Sequence, residues 1–131
     1  MAQELNFQVD QGADWSYDLT LWLDCAHKQP LNLSTMDYAE LTARLHKGSE
    51  DALFTLSTRG GGIKVLDPVA GKIRLHIDDK VSSAVDIRGT CLRCWYDLEL
   101  HTKRGAQVYR LCEGFILLDK EITRDDSLDT L

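Results

Sequence analysis

Only 2 prolines occur in the 131 residues, and no apolar run approaches the ~18 residues needed to cross a bilayer as a helix. The first residues contain no basic stretch leading into an apolar run, so they do not read as a secretory leader. Long helical periodicity is missing as well, which removes helical bundles and coiled coils. Cations are in the minority: 15 Lys and Arg stand against 21 Asp and Glu, a net charge of −6. No stripe of Lys and Arg is available to neutralise phosphates, so neither nucleic acid nor a membrane surface is expected as a partner. With 44% hydrophobic and 27% charged residues, the composition is that of a chain that buries a core.

The charge is unevenly spread. Residues 1–18 carry Glu4, Asp10, Asp14 and Asp18 with no cation, and residues 119–131 carry five acids against Lys120 and Arg124. The intervening residues hold 12 acids and 13 bases, so the expected body (about 8–118) is nearly neutral. Residues 1–12 are therefore expected to form an acidic arm and 119–131 an acidic tail, both ordering on assembly around a single domain.

What the sequence has in abundance is alternation with period two, the mark of half-buried strands. Trp15, Tyr17, Leu19, Leu21 and Leu23 alternate with polar residues until Trp22, and Leu41, Ala43 and Leu45 alternate with Glu40, Thr42 and Arg44. Ala52, Phe54 and Leu56 precede a Gly60-Gly61-Gly62 turn. Ile63 and Val65 then lead through Asp67-Pro68 to Ile73, Leu75 and Ile77. A possible Asp cap followed by Val81 to Val85 predicts one short helical turn between sheets. A last hairpin pairs Leu92–Leu100 with Tyr109–Leu117. A register in which partners sum to 209 sets Leu100 against Tyr109, Leu98 against Leu111, Cys94 against Phe115 and Leu92 against Leu117. Gly114 marks the expected bulge. Seven or eight such strands predict an all-β, antiparallel sandwich.

Few residues offer chemistry. Cys25, Cys91, Cys94 and Cys112 are expected to be reduced thiols, since no leader is read at the N-terminus, and Cys91-x-x-Cys94 is not expected to bind zinc, because it lacks a second ligand pair and its members point to opposite faces of a strand. Asp97 and Glu99 share one outer face and resemble the two carboxylates of a glycosidase, but any solvated strand face produces such pairs. His27, His46, His76 and His101 are scattered, and the glycine triplet lacks the Lys-Ser/Thr of a phosphate loop. No enzyme, metal or cofactor is expected. Trp22 and Trp95 stand out, since each interrupts the polar face of its strand. Each is either covered within the domain or held for a partner, a protein surface or a sugar ring.

The order of motifs resembles small structural proteins of tailed-phage and prophage virions. The resemblance rests on Gln11-Gly12-Ala13-Asp14-Trp15, Pro30-Leu31-Asn32-Leu33, Thr42-Ala43-Arg44 and Gly62-Ile63-Lys64-Val65. It closes with Tyr96-Asp97-Leu98-Glu99-Leu100, Arg110-Leu111-Cys112-Glu113-Gly114, Leu117 and Glu121-Ile122-Thr123-Arg124, so that it spans roughly residues 8–124. The chain is similar too to the N-terminal immunoglobulin-like domain of phage baseplate upper proteins, and no helical or fibre region is expected to follow it. The resemblance implies an immunoglobulin-like fold, synthesis in the host cytoplasm and residence in the virion. The implied role is an adaptor or connector at the tail, baseplate or neck, with a capsid decoration protein as the alternative. Its partners are other virion proteins and symmetry copies of itself. On this reading the interface residues are Trp22, Trp95, Asp119, Glu121, Arg124, Asp125 and Asp126.

Overall fold

Alternating apolar side chains give each strand one face to bury, and two such sheets stacked face to face satisfy them all. The computed structural model describes residues 3–23, 26–34, 36–103, 107–120 and 122. Among these, the strands are β1 (Gln3–Glu4), β2 (Phe7–Asp10), β3 (Trp15–Thr20), β4 (Met36–Arg44), β5 (Phe54–Ser57), β6 (Ile63–Asp67), β7 (Lys72–Ile77), β8 (Cys91–Thr102) and β9 (Val108–Asp119), with one helix, α1 (Asp79–Ser83), between β7 and β8. The larger sheet has the order β1-β9-β8-β4-β5, with β2 also on β9, and the smaller is β3-β7-β6. The chain thus crosses between sheets from β2 to β3, β3 to β4, β5 to β6 and β7 to β8. That partition, with β4, β8 and β9 in one sheet, β3, β6 and β7 in the other and β5 added as an edge, is an immunoglobulin-like sandwich. Between the sheets lie Leu19, Leu41, Leu56, Ile73, Leu75, Ile77, Cys94, Leu98, Ile116 and Leu118, all buried.

The described strands number nine, above the expected seven or eight, and the additions are at the N-terminus. In place of an arm over residues 1–12, Gln3–Glu4 and Phe7–Asp10 run parallel to β9, so the sheet is antiparallel except at this edge. The physical reason is burial: Phe7 and Val9, at 8% and 0% exposure, face the core beside Ile116 and Leu118. Asp119 likewise is the last residue of β9 and no part of a tail.

The corner from β2 to β3 is pinned from the side. Buried Gln11 donates from Nε2 to the carbonyls of Ser82 (3.1 Å) and Val85 (2.8 Å), and Gly12, at φ 84°, donates its N–H to Ser82 Oγ at 2.9 Å. This side chain thus ties the corner to carbonyls at and just beyond the end of α1. The other end is capped by Asp78, whose Oδ1 accepts from Lys80 N–H at 3.0 Å.

The β8–β9 register departs from the expected one at a single step. His101↔Val108, Leu100↔Tyr109 and Glu99↔Arg110 pair as a sum of 209, but the next pairs are Leu98↔Cys112, Cys94↔Ile116 and Leu92↔Leu118. Leu111 is the extra residue, so the bulge lies there and not at Glu113-Gly114. One inserted residue reverses the facing of all that follows. Cys112, Ile116 and Leu118 are therefore inside, opposite the expectation, and Phe115 is outside against Trp95. Cys112 correspondingly lies across from Leu98 and not beside Asp97.

Cys94 and Cys112 are buried free thiols and Cys91 is an exposed one; Cys25 lies outside the described residues. Burial pushes the Cys94 thiol up to about 11 and that of Cys112 up to about 12, and raises the Tyr96 hydroxyl. Above pH 9.0, the ordinary thiol value, the unfolded chain releases these protons while the folded chain keeps them, so stability falls as pH rises. Urea unfolding should show a lower midpoint at about pH 10.5 than at about pH 8; an unchanged midpoint would contradict buried, protonated thiols.

Candidate functional site

The outer face of the smaller sheet has one close ion pair, beside which Lys64 lies opposite Arg74. Asp18 and Arg74, opposite one another on β3 and β7, form a two-bonded ion pair at 2.7 and 3.1 Å. That pairing holds the Asp18 carboxyl below the usual carboxylate range, chiefly through the hydrogen bond from Arg74. In the next row Ser16 Oγ and His76 Nδ1 are 2.8 Å apart.

The outer face of the larger sheet is arranged differently. Along the strands, successive outward rows read Arg93 and Leu117; Arg44, Trp95 and Phe115; Thr42, Asp97, Glu113 and Glu4; Glu40, Glu99 and Arg110; and Tyr38, His101 and Val108. Trp95 meets Phe115 edge-on at 5.9 Å, with Lys47 Nζ 5.2 Å above the indole and the Arg93 guanidinium 4.6 Å above the phenyl ring. At the far end Tyr38 stacks on His101 at 4.2 Å, and Arg59 covers the Tyr38 ring at 3.6 Å. These cation–ring contacts keep large aromatics half-buried on a face that is otherwise polar.

Between the two aromatic clusters like charges lie directly opposite one another: Glu40 against Glu99, Asp97 against Glu113, and Glu113 against Glu4. Opposed like charges on a sheet destabilise it. Arg110 is the cation in these rows, 3.6 Å from Asp97 and 3.4 Å from Glu113, and His101 is 3.8 Å from Glu99. A cleft of about 330 Å³ opens here, lined by Trp95, Gly114, Glu4, Asp97 and Arg110 among others. The bulge at Leu111 makes this site, because it turns Glu113 and Phe115 outward beside Asp97 and Trp95.

The residues singled out in the sequence are thus dispersed. Trp95 is at the centre of this face. Trp22 is half-buried elsewhere, bridged to Pro30 in the loop after β3 and stacked on the His27 imidazole at 5.1 Å. Asp119 sits at the β2–β9 edge, where its Oδ2 accepts from Gln8 Nε2 at 2.6 Å. Glu121, Arg124, Asp125 and Asp126 lie outside the described residues. Asp97 and Glu99 do share the outer face, each beside a basic or titratable partner. Asp14, Asp78 and Asp79 gather at the start of α1, where Asp14 accepts from Asp79 N–H at 2.9 Å and Asp78 caps the helix. Helix capping accounts for that cluster. Sequence reasoning missed Glu4, Glu113 and Phe115; the alternation of Leu5, Phe7 and Val9 was the available sign that Glu4 belongs to an outward strand position.

No protein-family model matches the sequence, and no curated protein does. Among solved structures the chain is similar to PapD-like domain 7 of human CEP192, an ASH/PapD-like domain, at 11% identity and a TM-score of 0.34 over 95% of this chain and 84% of that one. The immunoglobulin-like fold follows from the strand order of the chain itself.

Proposed function

We propose that the protein is a non-enzymatic structural subunit of a tailed-phage virion, an adaptor or connector at the tail, baseplate or neck that binds neighbouring virion proteins and copies of itself. The observation that carries this reading is the contrast between the two outer faces. The smaller sheet has one opposed like-charge pair, Lys64 and Arg74, and a close Asp18–Arg74 ion pair, whereas the larger one holds half-buried aromatics and three opposed carboxylate pairs that a partner would relieve. The motifs of the resemblance fall on framework positions: Gln11 and Gly12 at the pinned corner, Tyr96 to Leu100 in the centre of β8, and Arg110 to Gly114 around the bulge. Such placement favours a shared scaffold over a shared catalytic site.

Mass spectrometry of purified DNA-filled particles from the strain carrying this gene should find the chain in many copies per particle. Particles without it would contradict the reading. A chain lacking residues 125–131 should keep its Tm and be incorporated less, because the acidic end is proposed to dock on basic patches of neighbouring subunits; normal incorporation would remove the tail from the interface.

A second reading draws on the cleft at Trp95. An indole in the lining with acids and bases around it suits a pyranose ring, as in a carbohydrate-binding or host-surface module. Retention of a glycan by the wild-type chain and not by Trp95→Ala would favour it.

A further inference from the structure

We propose that the partner covering the outer face of the larger sheet is a second copy of this chain, packed face to face about a two-fold axis perpendicular to the strands. The inference rests on the virion-subunit reading only for its setting; its argument is the charge order of the face.

Along the strand axis the charge on this face alternates in bands. At one end Asp10 and Asp119 share a row. The next band carries Arg93, Arg44 and Lys47 around Trp95 and Phe115. Asp97, Glu113, Glu4, Glu99 and Glu40 follow, with Arg110 as the cation among them, and Arg59 beside Tyr38 and His101 makes the other end. A surface of one sign would repel its own copy. Bands whose sign inverts about a line between the Trp95 and Asp97 rows complement themselves once the strand direction is reversed, and a two-fold in the interface plane performs that reversal. With the axis passing between the Trp95 row and the Asp97 row, the Trp95 row of one copy overlies the Asp97 row of the other. The Arg93 row then overlies the row of Glu40 and Glu99. The five carboxylates crowded within one sheet then share Arg93, Arg44 and Lys47 of the other copy.

The size and composition of the face agree with this occupant. Five strands about 4.8 Å apart, crossed by outward rows about 6.8 Å apart, make a surface on the order of the ~800 Å² per partner of a stable interface. Trp95 and Phe115 flank the two-fold axis, with Arg93 and Leu117 in the next row outward; aromatic residues and Arg are the types that anchor interfaces. Lys47 and Arg93 lie over the rings and bring charge that the facing carboxylates would meet.

Sedimentation equilibrium of the full chain tests this. The wild type should show a concentration-dependent mass reaching twice 14.8 kDa, with the dimer weakened when salt rises from about 0.1 M to about 1 M. Arg93→Glu alone and Glu99→Arg alone should each weaken the dimer by about tenfold or more, and the two together in one chain should restore it to within about threefold of wild type. Both positions lie on the outer face, and unchanged circular dichroism would show that the variants fold. A monomer at every concentration up to about 1 mM overturns the proposal. So does a dimer indifferent to salt and to both reversals, which would place the contact elsewhere. Neither result bears on whether the chain is found in particles, so failure here is distinct from failure of the virion reading.

Discussion

Gly114→Ala is expected to cost about 3 kcal/mol and to lower the Tm by about 10 °C, although it adds a single methyl group. A Cβ at this position would stand 2.1 Å from the Leu5 carbonyl oxygen and 2.6 Å from Asn6 Oδ1. The obstruction is backbone, which cannot swing aside as a side chain would. At this point the N-terminal segment steps from β1 to β2 and lies directly on β9. Leu5 N–H donates to the Glu113 carbonyl at 3.0 Å, the Tyr96 hydroxyl donates to the Leu5 carbonyl at 2.7 Å, and Phe115 N–H donates to Asn6 Oδ1 at 3.0 Å. Moving Leu5 away disturbs all three, and the Tyr96 hydroxyl and Leu5 carbonyl are then left to find new partners. Gly48→Ala is the natural control, since a Cβ there meets nothing within 4 Å. Thermal melts of the two variants decide the matter: an unchanged Tm for Gly114→Ala would mean that the N-terminal strand does not cross β9 here.

Deleting residues 1–10 should have a still larger effect, leaving a chain that is unfolded or insoluble. The deletion removes Phe7 and Val9 from the core and strips the parallel partner from Ile116 to Asp119. Loss of those two side chains costs about 5 kcal/mol or more, the scale of a small domain's whole stability of roughly 5–15 kcal/mol. The aromatic cluster of Phe7 with Trp15, Tyr17 and Tyr96, at centroid distances of 5.1, 5.0 and 5.6 Å, would lose its centre. An exposed β9 edge adds a route to aggregation. Soluble yield and a circular dichroism melt of the truncated chain measure this. A truncated chain that melts like the full one would restore the view of these residues as an arm.

The strands of the smaller sheet with its β6–β7 hairpin, the helix cap and the strand β8 are legible in the sequence because they depend on local alternation and short turns, whereas the β3–β7 pairing joins distant segments. Trp95 could be placed on the outer face from the parity of Leu92, Cys94 and Tyr96 alone. Its neighbours could not. The inserted Leu111 has no side-chain signature, whereas Gly114 looks like a bulge and serves instead as the gap that lets Leu5 pass. A single unforeseen residue reversed the facing of Phe115 and of Cys112, and the outer site was hidden with them. The N-terminal strand was missed for another reason. Its pairing partner is more than 100 residues away, and acidic residues at Glu4 and Asp10 drew attention to charge when Phe7 and Val9 carried the structural information.

The acidic termini accordingly divide in two. Glu4 and Asp10 belong to strands, Asp14 and Asp18 are engaged with Asp79 and Arg74, and Asp119 closes β9. Much of the −6 charge assigned to free ends is therefore on the folded body, and Glu4 is part of the site itself.

A density map of the assembled particle tests the central claim most directly. The account predicts that this chain is found at the tail, baseplate or neck with the outer face of its larger sheet covered, Trp95 and Asp97 in contact with a neighbouring subunit. A particle in which that face is open to solvent and the Asp18–Arg74 face forms the contacts would contradict it.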